Sequence, residues 1–462
     1  MNKTQSKKRI YLFLMGFLIM AVETGIISYI WVNYYNTELP KAYYFWGHVF
    51  ISVVYMVLLI VFSVMYGGIR IGSYRMIELL LSQGFSTFAT NVIFYAIICL
   101  LAYHFPSPVP LIVGTALQGL CIGVWIYLAT LGFRALFPPT DLLLIYGGRH
   151  KNLIVEKVKT RRHQFQITEE LSVDEIELDE DGMNELRKHI CAHEAVVLWD
   201  ISNSVRNSIF KCCYEHSVDI YVSPKIMDIV LKGSQNLHLF DSPLLYTKSS
   251  PIEAEQIAIK RFFDILFSLI LLILLSPLML ITAACVKFYD GGSVFYRQVR
   301  CTLDNKEFEI YKFRSMIENA EGDGGARLAS KNDSRITPVG RIIRRLRVDE
   351  LPQLINVLKG DMAFVGPRPE RPEIIKKYVK EMPEFAYRTK VKAGVTGYAQ
   401  IYGKYNTLPY DKLKLDLFYI ENYSLWLDLK LLILTVKTLF TIGSTEGVAE
   451  GTATPLGDSE HE

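Results

Sequence analysis

Residues 260–288 read KRFFDILFSLILLILLSPLMLITAACVKF. Between Phe262 and Val286 the only charge is Asp264. The run exceeds the ~20 residues that a helix needs to cross a bilayer. Ser276 and Pro277 stand in its middle, where proline removes a backbone donor and kinks a helix. Lys260 and Arg261 precede the run, and Lys287, Arg297 and Arg300 follow it. Both flanks carry the charge of a cytoplasmic flank. The expected element is a kinked, re-entrant membrane helix over 255–287. It enters and leaves on one face, with Ser276 and Pro277 as its break.

Upstream, four further apolar segments run roughly 10–30, 46–66, 84–104 and 109–133. Each has about the length of a membrane span. Lys3, Lys7, Lys8 and Arg9 precede the first, Arg70 and Arg75 separate the second from the third, and Arg134 closes the fourth. The remaining two loops hold only Lys41 and Glu38, then HFPSPVP. This charge bias predicts a four-helix transmembrane bundle over 1–136 with both ends cytoplasmic. Glu23 lies inside the first span, where a carboxylate marks function or a hydrogen bond within the bundle; the second reading is preferred. The start KTQSKKR leads into a run too long for a cleaved signal peptide.

Half of the 462 residues are hydrophobic and the formal net charge is only +3, so bulk charge gives no argument for nucleic acid. The seven cysteines are scattered and form no CxxC pair. That count argues for a reduced compartment and against a disulfide framework or a zinc site. After FPPT, at 137–140, the composition changes. DLLLIYGG, NLIVEKV, AVVLWD and VDIYVSP read as strands, and DGMNELRKHICAH and SNSVRNSIFKCCYEH as helices. Alternation of this kind predicts a Rossmann-like α/β domain with a parallel sheet over 137–250. Its YGGRHK turn is not the dinucleotide-binding fingerprint, so a structural or regulatory module is favoured over a nucleotide site. Residues 288–441 form a second soluble region, α-rich, with strands at SVFYRQV and KEFEIYKFRSM and a last helix at SLWLDLKLLILTVKTLF. The tail 442–462 is rich in Gly, Thr, Ser and acids and is expected to be disordered.

The chemistry concentrates in RVDELPQLINVLKGDMAFVGPRPE, residues 347–370. Asp349 and Glu350 are adjacent, and Arg341, Arg344, Arg345 and Arg347 lie just upstream. The plain reading makes Asp349 the N-cap of a short helix that Gly360 stops, with the arginines as a solvated or headgroup-facing surface. The chemical reading is phosphoryl transfer. One carboxylate acts as nucleophile, the second holds Mg²⁺ with substrate phosphates, and cations neutralise the transferring group. Arg341, Arg344, Arg345 and Val348 are expected on one helix face. Lys312 and Arg314 of KFRSM and Arg368 of GPRP add cations from other segments.

Together, KRFFDILFSLILLILLSP, YKFRSM, DELPQLINVLKGDMAFVGPRPE and AGVTGYAQIYG resemble the bacterial polyprenyl-phosphate hexose-1-phosphate transferases, the monotopic phosphoglycosyl transferases. The four spans and α/β domain resemble the large form of that family. Its members include the undecaprenyl-phosphate galactose and glucose phosphotransferases of capsule, exopolysaccharide and O-antigen synthesis. The resemblance implies Asp349 as nucleophile and Glu350 as Mg²⁺ ligand, with Asp349 beside it at the metal. It implies Lys312, Arg314, Arg344, Gln353, Asp361 and Arg368 as substrate-binding positions in a catalytic domain over 288–441. The implied substrates are a UDP-sugar and undecaprenyl phosphate, UMP is released, and the protein sits in the bacterial inner membrane among its lipids. A homodimer is left open. Two positions depart from the family pattern. Ala393 replaces the proline of its Pro-Gly-(Ile/Val)-Thr-Gly motif, and Cys301–Asn305 replaces a glycine-containing loop. The alternative reading is a non-enzymatic membrane scaffold, or a nucleotide or lipid sensor, which would tolerate Asp349→Asn. The sequence does not choose between glucose and galactose.

Overall fold

The computed structural model describes residues 3–147, 151–173, 180–239, 241–248, 252–317, 333, 335–403 and 407–440. The tail 442–462 and Gly148, Arg149 and His150 of the YGGRHK turn lie outside the described residues. The chain divides into two compact units, Met1–Ser223 and Pro224–Glu462.

The first unit opens with four long apolar helices, α1 Lys3–Ile30, α2 Phe45–Tyr66, α3 Met76–Ala102 and α4 Val109–Leu136. All four are long and apolar enough to cross a membrane. α1 packs on α2 and α4, and α3 packs on the same two. Glu23 is fully buried among them. Gln83 Nε2 donates to its Oε1 at 2.7 Å and Thr87 Oγ1 to its Oε2 at 2.6 Å. The carboxylate is thus paired inside the helices, as a membrane interior requires.

An α/β layer follows in the same unit: β1 Thr140–Tyr146, α5 Lys151–Lys159, β2 Phe165–Ser172, α6 Glu180–Ala192, β3 Ala195–Trp199, α7 Asn203–Glu215 and β4 Asp219–Val222. The four strands are parallel in the order β2-β1-β3-β4. Successive strand residues point to opposite faces. Leu143, Ile145, Val196 and Leu198 therefore pack on α6 and α7, while Leu142, Leu144 and Val197 pack toward Ile154 of α5. Two expectations need correction. NLIVEKV is the helix α5, not a strand, because neighbouring parallel strands need a crossover between them. The second strand is instead FQITEELS, whose burial alternates along its length.

The second unit begins with α8 Ile226–Lys232 and an exposed ribbon of β5 Gln235–Leu239 and β6 Ser242–Tyr246. Next comes α9 Ala254–Asp290, then the antiparallel hairpin β7 Phe295–Cys301 and β8 Glu307–Phe313. The remaining elements are α10 Pro338–Arg345, α11 Gln353–Lys359, β9 Ala363–Val365, α12 Pro372–Glu381, β10 Gly394–Thr396, α13 Tyr398–Tyr402, α14 Pro409–Glu421 and α15 Leu425–Phe440. β10 pairs in parallel with β9. Leu354, Val357, Met362, Val365, Leu417 and Leu431 join α11, β9, α14 and α15 in one core.

The expected break at Ser276 and Pro277 is not an interruption, since α9 runs unbroken through Pro277 for 37 residues. Proline has no N–H for the carbonyl four residues back. Ser276 Oγ donates to that carbonyl, Ile273 O, at 2.7 Å. The hydroxyl thus replaces the missing backbone donor and the helix continues. Around this point Ile270, Ile273, Leu274, Leu280 and Ile281 are exposed, as lipid-facing residues would be.

Candidate active site

The site is built on the turn between α10 and α11. Thr337 caps α10 by accepting from Gly340 N at 2.8 Å, and Pro338 opens its first turn. The helix ends at Arg345, and Arg347 takes a left-handed conformation with φ 55°. That reversal corrects the expected arginine face. Arg341, Arg344 and Arg345 lie on α10, whereas Val348 belongs to a separate 3-10 turn, Val348–Glu350, and is buried. The reversal also turns the dyad inward, leaving Asp349 only 9 % exposed. Asp349 is therefore not the helix N-cap. Pro352 holds that position for α11, and Gly360 ends α11 with φ 94° as expected.

Three cations converge on Glu350. Lys312 Nζ of β8 donates to Oε1 at 3.2 Å, and Arg368 Nη2 donates to the same oxygen at 3.1 Å. Arg347 Nη1 lies 3.6 Å from Oε2. Burial raises the Glu350 carboxyl, but Lys312, Arg368 and Arg347 outweigh it and hold it well below the usual carboxylate range. Asp349 goes the other way. Burial, then the Glu350 charge, pushes it up to about 6 against the opposing pull of Lys312, Arg344 and Arg347. Two adjacent carboxyls driven apart by their surroundings are suited to different tasks.

The structure therefore brings Asp349, Glu350, Lys312, Arg344 and Arg368 together. Arg314 is elsewhere: it is 7 % exposed and pairs with Asp290 at the end of α9. Gly292 passes so close that a Cβ there would lie 2.2 Å from Arg314 Nη1. Asp361 sits beyond the far end of α11, where Asn356 Nδ2 donates to its Oδ2 at 3.3 Å. Gln353 is buried in the first turn of α11. Arg347 went unnamed as a site residue in the sequence, although its adjacency to the dyad was signal enough. No group of three or more His, Cys, Asp or Glu among the described residues forms a metal site. The two hard carboxylates nonetheless suit Mg²⁺, which takes one or two protein carboxylates and fills its shell with water and substrate phosphate.

The two departures from the family pattern meet in space. Ala393 N, the donor that a proline would lack, donates to Thr302 Oγ1 at 3.1 Å, and Thr302 Oγ1 donates to Asp361 O at 2.8 Å. In the hairpin loop Asp304 and Asn305 take φ 54° and 58°, the left-handed region that glycine otherwise serves.

The family model for bacterial sugar transferases matches residues 255–442. The chain is 39% identical over 245 residues to a UDP-N-acetylgalactosamine-undecaprenyl-phosphate N-acetylgalactosaminephosphotransferase of Aeromonas hydrophila, covering 52% of this chain and 57% of that one. It is 41% identical over 193 residues to the uncharacterized sugar transferase EpsL of Bacillus subtilis, covering 42% and 91%. It is 39% identical over 187 residues to a UDP-glucose:undecaprenyl-phosphate glucose-1-phosphate transferase of Caulobacter vibrioides, covering 39% and 70%. Across several of these curated relatives the chain spans about half of their length.

Proposed function

The chain belongs to the bacterial sugar transferase family, and from that premise we propose that it transfers a hexose-1-phosphate from a UDP-sugar to undecaprenyl phosphate. In this reading an Asp349 carboxylate oxygen attacks the sugar-bearing phosphorus. The bond from that phosphorus to the bridging oxygen breaks, and UMP leaves with the electron pair. The aspartyl-phosphosugar then meets the undecaprenyl phosphate oxygen, which displaces Asp349 and forms the lipid diphosphosugar. With its carboxyl at about 6, Asp349 is mostly ionised at neutral pH and remains basic enough to attack. Lys312, Arg347 and Arg368 hold Glu350 ionised and supply positive charge where the diphosphate must sit. Glu350 and Asp349 would hold Mg²⁺, which would neutralise charge on the leaving phosphate. The observation that carries the proposal is the pairing of an ionised Glu350, held by three cations, with the buried Asp349 carboxyl beside it, inside the family-matched segment.

The same reading places the chain in the bacterial inner membrane with its soluble parts cytoplasmic and α9 re-entrant. Both ends of α9 are tied to one soluble core, which supports a single-face entry. Near the start, Arg261 donates to Val357 O at 2.5 Å and to Leu358 O at 2.6 Å, and Lys260 pairs with Asp428 at 2.5 Å. Near the end, Arg314 pairs with Asp290, and Val286 packs on Phe313 and Ile343.

The test is UMP release by the purified chain with a polyprenyl phosphate and a panel of UDP-glucose, UDP-galactose and UDP-N-acetylgalactosamine. Enzyme with UDP-sugar alone should release about one equivalent of UMP and retain a phosphosugar adduct on the peptide bearing Asp349. Turnover by Asp349→Asn, or sequential kinetics with no adduct, would overturn the covalent route.

A further inference from the structure

Arg368 reaches Glu350 from the turn Gly366-Pro367-Arg368-Pro369-Glu370. Two of these residues are prolines and donate no backbone N–H. The carbonyls carry the anchoring instead. Pro367 O accepts from Gly394 N at 2.9 Å and Glu370 O from Cys301 N at 3.0 Å. Pro369 O accepts from Arg300 Nη1 at a long 3.4 Å. Arg368 O accepts from Arg388 Nη2 at 2.9 Å.

Arg388 is 3 % exposed and is itself fixed on several sides. Asp416, 1 % exposed, lies 2.8 Å from its Nη2, and Glu370 lies 3.5 Å from its Nη1. Its guanidinium stands 4.9 Å over the Phe385 ring. Glu370 also pairs with Lys412 and with Arg300. This network lies behind the turn, and its ion pairs run among Arg388, Asp416, Glu370, Lys412 and Arg300. A buried ion pair gives little net stability over apolar packing of the same volume. What it supplies here is one guanidinium donor, Nη2, held in a fixed orientation on the carbonyl of the very residue that reaches the dyad.

We propose that Arg388 is a positioning residue that fixes the backbone of Arg368 and so holds the Arg368 guanidinium on Glu350. The catalytic consequence rests on the transferase reading, whereas the effect on the turn does not. Arg388→Lys keeps the charge and loses the planar fork.

The test uses the full chain in nanodiscs and two readouts. Hydrogen exchange of peptides covering 366–371 should speed up in Arg388→Lys, with peptides of α14 and α15 unchanged. In turnover, Arg388→Lys and Arg368→Lys should each lower kcat by roughly 10-fold or more, with a smaller change in KM. The double variant should lose little beyond the worse single one, because both remove the same contact. Unchanged exchange at 366–371, or losses that multiply, would overturn the proposal. If Arg388→Lys does not fold, Asp416→Asn loosens the guanidinium from behind and should move both readouts the same way by less. No movement there also overturns it. A wild-type protein inactive on every UDP-sugar would sink the transferase reading, and the exchange readout would still decide the role of Arg388.

Discussion

Asp349→Asn should leave the protein inactive and more stable. Asp349 is 9 % exposed, and burial and Glu350 push its carboxyl from 3.8 to about 6. A carboxyl raised on folding binds its proton more tightly in the folded state. Folding is therefore favoured most below the unfolded pKa, and stability is lost as pH rises through the interval from about 4 to about 6. Above that interval the charged Asp349 costs the fold about 3 kcal/mol, taking about 1.4 kcal/mol for each unit. Asparagine keeps the shape and removes the charge. For a unit of this size each kcal/mol is worth about 2–4 °C in Tm, so the variant should melt about 6–12 °C higher at pH 7. The assay is thermal unfolding of both proteins in one detergent across pH 4 to 8, followed by intrinsic fluorescence. The gap should close as pH falls below about 5, where wild-type Asp349 is itself protonated in the fold. An Asp349→Asn protein no more stable than wild type at pH 7, or a gap that does not change with pH, would refute the argument. The result bears on function because a group that destabilises the fold at working pH is one that activity retains.

Three further outcomes are expected. UMP release should fall about tenfold per pH unit below about 6, as the nucleophile becomes protonated; a rate flat down into the ordinary carboxylate range would exclude Asp349 as the titrating group. Thr302→Val should destabilise the second unit by about 1–3 kcal/mol for each backbone group it orphans. Ala393→Pro should be harmful alone yet helpful on the Thr302→Val background, because it deletes the orphaned N–H; additive melting shifts would show that the two departures are independent. Finally, single cysteines at Ala258 and Phe288, in a chain lacking its native cysteines, should both resist an impermeant reagent added outside the cell. Labelling of either one from outside would rule out the same-face topology.

The long apolar helices were legible because membrane thickness dictates their length, and four of the five needed nothing beyond residue type. The dyad was legible because Asp349, Glu350, the arginines and Gly360 are neighbours in sequence. Short elements fared worse. NLIVEKV has the composition of a strand, and only the parallel pairing of β1 with β2 makes it a crossover helix. β2 was overlooked because Thr168, Glu169 and Glu170 dilute its apolar residues, although its alternation was present. Arg314 illustrates a different limit. A local motif places it two residues after Lys312, a spacing that would share one face of a strand, but β8 ends at Phe313, so Lys312 reaches Glu350 from the strand while Arg314, already past its end, pairs with Asp290. Arg388, Glu370 and Asp416 come from three segments that meet only in the fold, and nothing local marks them as partners.

The proposed membrane geometry and the charge pattern of the site bear on one another. From Arg261 to Lys287 a straight helix would rise about 40 Å, more than the ~30 Å hydrocarbon core. A crossing helix would put those residues in opposite aqueous phases, yet both ends of α9 contact the unit that holds the dyad. Arg261 binds the last carbonyls of α11, the helix that follows Asp349 and Glu350. Asp264, one turn further along, accepts from Phe364 N at 3.1 Å on β9, the strand that leads into the Arg368 turn. The start of the membrane helix thus grips the two elements that follow the dyad, α11 and β9. At the other end, Val286 packs against Ile343 and Val348, directly beneath the turn that carries Asp349. A tilt of α9 would therefore pull on α11 and β9 at one end and on the α10–α11 turn at the other. In the proposed geometry, the helix that dips into the membrane would hold the carboxylates at its boundary, where a charged nucleotide sugar and a lipid phosphate could both arrive.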